Sequence, residues 1–187
     1  MPAPEYCAIP RCARRRALLL AGAGVLVGAC ASSPPPPPQL PVAPVVLDPV
    51  TLQVTLIASA DVNPDLRGRA SPLSVRILEL RSRSAFDSAD FFSLYEREQQ
   101  TLGTELLAKE QYILSPSDTQ GYTRKAQPET RFLGVVAAYR DLEGSTWRMA
   151  MGIAPPGPPV RGVPPARQRV TIRLGRTGVQ MEASAAA

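Results

Sequence analysis

The chain has 187 residues, with 21 Lys and Arg against 16 Asp and Glu, a formal charge of +5, and no histidine. The missing imidazole excludes Ser-His-Asp and Cys-His catalysis and every His-ligated metal site. Residues 1–29 hold Arg11, Arg14, Arg15 and Arg16 against Glu5, which leaves 17 basic and 15 acidic residues, or +2, in the remainder; with no dense basic run after Cys30, nothing points to nucleic acid.

Arg14-Arg15-Arg16 precedes the apolar run Ala17 to Ala29 (ALLLAGAGVLVGA), a positive n-region and an h-region of 13 residues. A helix crossing a bilayer needs about 20 residues. Val27-Gly28-Ala29-Cys30 resembles the bacterial lipobox, with Val27 where Leu is usual. The reading is a signal peptide over 1–29, cleavage between Ala29 and Cys30, and acylation of Cys30; the alternative is an ordinary signal peptide cut elsewhere. Cys7 and Cys12 fall in the leader and Cys30 is the last cysteine, so acylation leaves neither a free thiol nor a disulfide. Arg15-Arg16-Ala17-Leu18-Leu19 also resembles a twin-arginine signal, which leaves the export route open. Residues 30–46 read as a spacer. Pro34 to Pro38, with Pro41 and Pro44, favour polyproline II at about 3.1 Å per residue, so Cys30 to Leu47 spans at most roughly 50 Å. A PxxP ligand is the other reading of the same prolines.

A folded domain is expected over 47–182, followed by a frayed tail, 183–187. Thr51 to Ser59 alternates, with Leu52, Val54 and Leu56 on one face, and reads as a strand. Leu73 to Leu80 alternates until Ile77 and then slips phase, which suggests a bulge near Leu78. Phe86 to Glu98 carries Phe91, Leu94 and Tyr95 at helical spacing, with Ser88 a candidate cap. Phe91 and Phe92 cannot both face inward. Leu102 to Leu107 suggests another turn, Glu110 to Leu114 a strand, and 119–127 lacks the alternation of one. Thr130 to Arg140 is apolar on both faces, as a central strand is. Asp141 to Gly144 reads as a hairpin turn, then Thr146 to Met151 as a strand. Pro155 to Pro165 is a loop. Arg167 to Leu174 alternates with Val170, Ile172 and Leu174 inward, and a last short strand follows at Val179 to Glu182. The fold class is mainly β, a two-layer antiparallel β-sandwich with a short helical insertion after the second strand.

Little in the domain points to chemistry. Asp61, Asn63 and Asp65 begin like an EF-hand loop, but Leu66 stands where Gly is required and Pro72 where the twelfth-position Glu belongs, so an Asx-turn loop explains them better. No G-x-S-x-G elbow and no glycine-rich phosphate loop is present. No catalysis, no cofactor, no metal and no small-molecule substrate are expected.

The strings Ile57 to Asp65, Gly68 to Pro72, Val75 to Ile77, Ala89 to Phe92, Leu94-Tyr95, Thr130 to Val136, Ala138 to Asp141 and Trp147-Arg148 recur in order, and together resemble the TssJ (VasD) family of type VI secretion lipoproteins. The resemblance implies a transthyretin-like sandwich on the periplasmic face of the outer membrane, and Ala31 after the lipidated cysteine fits that destination. It implies a partner too, the periplasmic domain of an inner-membrane TssM-like protein. The family's contact includes the first inter-strand loop, carried over here as Asp61, Val62, Asn63, Pro64, Asp65, Leu66, Arg67, Gly68 and Arg69. Both charge signs around Val62 and Leu66 fit a polar-rimmed anchor. Within the loop, Asn63, Pro64 and Gly68 have the chemistry of turn-shaping residues. A reading from another class is a lipid-anchored module that binds a glycan or small molecule; it requires a concave site with exposed aromatics.

Overall fold

A computed structural model describes residues 47–185; the leader, the Ala29–Cys30 cleavage site, the lipidated Cys30, the spacer and the last two residues of the expected tail lie outside the described residues. Among the described residues, eight strands form two four-stranded sheets. They are β1 (Thr51–Ala58), β2 (Leu73–Leu80), β3 (Leu106–Leu114), β4 (Thr119–Lys125), β5 (Phe132–Ala137), β6 (Arg148–Gly152), β7 (Arg167–Leu174) and β8 (Val179–Ala185). One sheet runs β4-β1-β7-β8 and the other β3-β2-β5-β6. All neighbours are antiparallel except β1 and β7, which run parallel from Thr51 opposite Arg167 to Ala58 opposite Leu174. Period-two alternation carries no strand direction, so the expectation of a wholly antiparallel sandwich missed this pair.

The register decides which loops share an end. Ala58, Leu73, Leu114, Thr119, Ala137 and Leu174 terminate their strands at one end, which gathers the β1–β2, β3–β4, β5–β6 and β7–β8 connections there. We term it the loop end. Thr51, Leu80, Lys125, Phe132, Gly152 and Arg167 mark the opposite, entry end, where the chain arrives through Leu47 and Asp48.

The main core lies between the sheets. Leu52, Val54 and Leu56 of β1 meet Val75 and Ile77 of β2, Leu133 and Val135 of β5, and Val170, Ile172 and Leu174 of β7, all buried. Each fully buried side chain of this size contributes about 1.5–3 kcal/mol. The phase slip in β2 has a direct cause. Val75, Ile77 and Glu79 point between the sheets, while Leu78 and Leu80 are buried on the outer face beneath a second layer, so both faces are covered. The register irregularity falls between Glu79 and Leu80, next to the expected place.

That outer layer was expected as one helix. It is three short ones, α1 (Ser84–Ser88), α2 (Phe91–Glu96) and α3 (Glu98–Leu102), and a 3-10 turn at Gly103–Glu105. Ala89 is extended, which breaks the first helix from the second, and Asp90 restarts it as an N-cap, accepting from Ser93 N at 3.0 Å and Ser93 Oγ at 2.6 Å. Ser88, the expected cap, instead donates back to the Ser84 carbonyl at 3.0 Å. Helices this short are unstable alone. They persist because Phe86, Leu94 and Leu102 pack on Leu78, Leu80 and Val136. Gly134 makes room, since a Cβ there would stand 3.0 Å from the Phe86 ring. Arg148 Nη1 donates to the Phe86 carbonyl at 2.9 Å and ties α1 to β6. Glu98 of α3 is buried against Lys109 and Arg76; burial opposes its charge, but the Lys109 hydrogen bond and the Arg76 charge outweigh it and hold the carboxyl below its usual range.

Two further expectations change. Residues 119–127 do contain a strand, β4, and it does alternate; its half-buried residues are Gln120, Tyr122 and Arg124, so the period was hidden by polar side chains on the inner face. Tyr122 stacks on Tyr112 at 5.9 Å, and Arg124 reaches across to Glu79, which is 2 % exposed. The expected tail from 183 is also shortened, because β8 continues to Ala185, paired with Gln168.

Candidate docking surface at the loop end

The β1–β2 loop, residues 59–72, is built around one amide. Asn63 is 3 % exposed and has a positive φ of 49°, a conformation Asn tolerates better than most residues. Its Nδ2 donates to the Pro72 carbonyl at 2.9 Å, and its Oδ1 accepts from Arg140 N at 2.9 Å. The side chain thus closes its own loop and fastens it to the β5–β6 loop. Val62 beside it is fully buried in the main core. Val62 and Asn63 therefore hold the loop in place, and neither offers an exposed side chain for the contact expected of them.

Outside this buried foot the loop makes a tight turn. Asp65 Oδ1 accepts from the backbone N–H groups of Arg67 and Arg69 at 2.9 and 3.0 Å, and Oδ2 accepts from Arg69 Nε at 2.9 Å. Gly68, with φ +79°, donates its N–H to the Asp65 carbonyl at 2.8 Å. The Arg69 N–H first, then its guanidinium, hold the Asp65 carboxyl below its ordinary range. Asp65 and Arg69 are thus largely committed to each other. Leu66 and Arg67 occupy the corners of the turn, and Leu66 is fully exposed. The turn thus holds a large aliphatic side chain in water, which makes Leu66 a candidate for docking.

Asp61 accepts from Ser59 Oγ at 2.7 Å and stands 4.0 Å from Arg176 of the β7–β8 turn. Between Asn63–Arg67, Tyr139–Asp141 and Arg176–Thr177 lies an open depression of about 760 Å³. Arg67, Arg140 and Arg176 surround it with Asp65 and Asp141, so the rim carries both charge signs. Tyr139 is the one aromatic lining it; its ring is buried, its hydroxyl donates to the Gly175 carbonyl at 3.1 Å, and burial pushes its phenol up. The exposed aromatic platform that a glycan site requires is missing from this depression. Among the described residues one ring is exposed, Phe92 on α2, in edge contact with Phe91 at 5.5 Å. Among the described residues no group of three His, Cys, Asp or Glu side chains is placed to hold a metal ion, and no helix is long and apolar enough to cross a membrane.

Arg140 lies in one of the family strings, Ala138 to Asp141, and Arg176 lies between the last two expected strands, but neither is among the contact residues that the resemblance implies. Only strand register brings these residues beside the first loop, and register is invisible to periodicity within one segment.

The same sandwich occurs in lipoproteins of bacterial secretion. The T6SS lipoprotein TssJ1 from Pseudomonas aeruginosa is 33% identical, with a TM-score of 0.65 over 74% of this chain and 99% of that one. Serratia marcescens Lip, a membrane-bound component of the type VI secretion system, is 29% identical, with a TM-score of 0.64 over 74% and 99%. A chain of a solved type VI membrane complex shares the fold at 22% identity and a TM-score of 0.59. No curated protein matches at significant similarity. The chain belongs to the type VI secretion lipoprotein family (VasD, EvfM, TssJ, VC_A0113), whose model matches residues 50–177.

Proposed function

We propose that this protein is anchored through acylated Cys30 to the periplasmic face of the outer membrane, and that it tethers there the periplasmic part of an inner-membrane, TssM-like protein of the type VI secretion membrane complex. It acts as a scaffold and catalyses no reaction. The observation that carries the reading is polarity. The described chain enters at one end of the sandwich, while the β1–β2 loop stands at the other, so lipid and partner would be held apart by the length of β1. Eight strand residues at about 3.3 Å each make that roughly 25 Å. In this reading Leu66 and Arg67 form the centre of the contact, with Asp61, Pro64, Asp65, Gly68, Arg69, Arg140 and Arg176 as rim.

The test uses the full chain in cells that carry the secretion system. Cys30→Ser is expected to leave the membrane fraction and to lose secretion. Leu66→Asp is expected to stay in the membrane and to lose co-purification of the TssM-like partner. Membrane retention and intact secretion with Cys30→Ser would remove the anchor from the proposal. Undiminished capture by Leu66→Asp would move the interface away from the loop end.

A further inference from the structure

The β6–β7 loop, residues 153–166, lies at the entry end and is tied to the arriving chain: Asp48 N donates to the Gly157 carbonyl at 2.8 Å. Six of its residues are proline (Pro155, Pro156, Pro158, Pro159, Pro164 and Pro165), which fixes φ near −65° and removes six N–H donors. Its tip is the turn Val160-Arg161-Gly162-Val163, closed by Val163 N donating to the Val160 carbonyl at 3.0 Å, with Gly162 at φ +81° in the left-handed position such a turn requires. The turn holds Val160 and Val163 close together, 58 % and 59 % exposed. Leu47, beside Asp48, is a third exposed aliphatic on this side.

The charges around the tip are mostly basic. Arg161, Arg167, Lys125 and Arg131 are exposed at the entry end, and none of them forms an ion pair with another described residue. Of the acids here, Glu129 is taken by Arg81 and Glu105 accepts from Ala85 N at 3.2 Å, which leaves Asp48. A stiff aliphatic tip in a basic surround is the composition of a peripheral membrane contact, in which apolar side chains enter the headgroup boundary and cations meet anionic phosphates.

We propose that the tip of the β6–β7 loop rests in the membrane to which Cys30 is anchored, with Val160 and Val163 in the interface and Arg161 and Arg167 on anionic headgroups; this rests on the anchoring proposed above. The chain itself supplies the reason. Cys30 and Leu47 are separated by a spacer that reaches roughly 50 Å at most, so the entry end, where that spacer attaches, never lies farther than this from the lipid. A tether of that length turns docking into an intramolecular event at high effective concentration, and a two-valine contact too weak to bind from solution then suffices. The contact would hold the loop end pointing away from the lipid.

The experiment uses the acylated full-length protein in vesicles of phosphatidylethanolamine and phosphatidylglycerol. Val163→Cys is labelled with an environment-sensitive dye, and Leu66→Cys is labelled in parallel as the loop-end control. Flotation with the vesicles reports the anchor and dye emission reports the loop. Flotation with a blue shift and loss of iodide quenching at 163, neither of them at 66, supports the proposal. Reversal of both by Val160→Asp in the same labelled chain supports it further. Flotation with the dye at 163 as wet as the dye at 66 overturns it and leaves the anchor standing. Failure to float overturns the anchor, and the loop contact with it. Shielding at 163 in detergent without vesicles assigns the tip to a protein or a second copy, and overturns the lipid contact. Shielding that persists when phosphatidylcholine replaces the anionic lipid removes the arginines from the proposal.

Discussion

The β1–β2 and β6–β7 loops occupy residues 59–72 and 153–166, equal lengths of chain at opposite ends of one sandwich. The first is ordered by polar contacts: a buried amide, an aspartate wrapped by backbone N–H groups, and one arginine folded back on it. The second is ordered by covalent restriction, six prolines that need few partners. Each leaves aliphatic groups in water, Leu66 at one end and Val160 with Val163 at the other. The two constructions differ in how they fail. A loop held by hydrogen bonds can be loosened by one substitution or by protonation. A loop held by proline rings keeps much of its shape when a side chain changes.

The ends differ also in what stabilises the strands beneath them. At the entry end Glu79 accepts from Arg124, from Gln127 N at 2.9 Å and from Thr130 Oγ1 at 2.8 Å, a buried charge that joins the two sheets. At the loop end the corresponding tie is neutral Asn63. The largest expected effect therefore comes from Arg124→Met, which leaves Glu79 buried without its cation; a loss of about 3–5 kcal/mol in urea unfolding is expected. Asn63→Ala should cost less, about 2–3 kcal/mol, because it orphans the Pro72 carbonyl and the Arg140 N–H. It should also weaken partner capture, whereas Arg124→Met should leave capture intact wherever the protein remains folded. Equal losses of capture in both variants would erase the distinction between the ends.

Leu66→Asp sharpens the contrast further. Stability should stay within about 0.5 kcal/mol of the parent, while partner affinity falls at least about tenfold. The smallest effect is with pH. The folded Asp65 carboxyl lies below its ordinary value of 3.8, so its contribution is present above that value and is lost as pH falls through the lower, folded value. Because Asp65 is solvent-exposed, the loss should be local: protection of the Arg67 and Arg69 amides, measured against intrinsic exchange at the same pH, should fall at acid pH, with the β6–β7 loop unchanged. A matching fall in protection in both loops would show that they are coupled.

Much of this architecture can be read from side-chain periodicity, and the exceptions have common causes. β1 and β7 are legible because one face is apolar and the other polar. β4 was not, because Gln120, Tyr122 and Arg124 take inward positions and look like a solvated segment. The helical layer was seen as amphipathic, but its division depends on Asp90 capping a helix that Ala89 has just broken, a choice between two nearby polar residues. For the candidate site, the β1–β2 loop is marked by its resemblance to a family, and the exposure of Leu66 is consistent with the contact proposed for it. That Val62 and Asn63 are buried could not be inferred from a loop of small and polar residues. The neighbours Arg140 and Arg176 needed the pairing of strands far apart in sequence.

The parallel pairing of β1 and β7 has a mechanical consequence. β1 lies between β4 and β7, hydrogen-bonded on both sides along its length. A pull applied between the entry end and the β1–β2 loop runs along the axis of that strand. Such a load shears both ladders at once, with every bond sharing the force, whereas a load across the strand would open bonds one after another. The strand that follows the entry segment and precedes the loop is thus an interior one, whose rupture under this load requires two ladders to slide together.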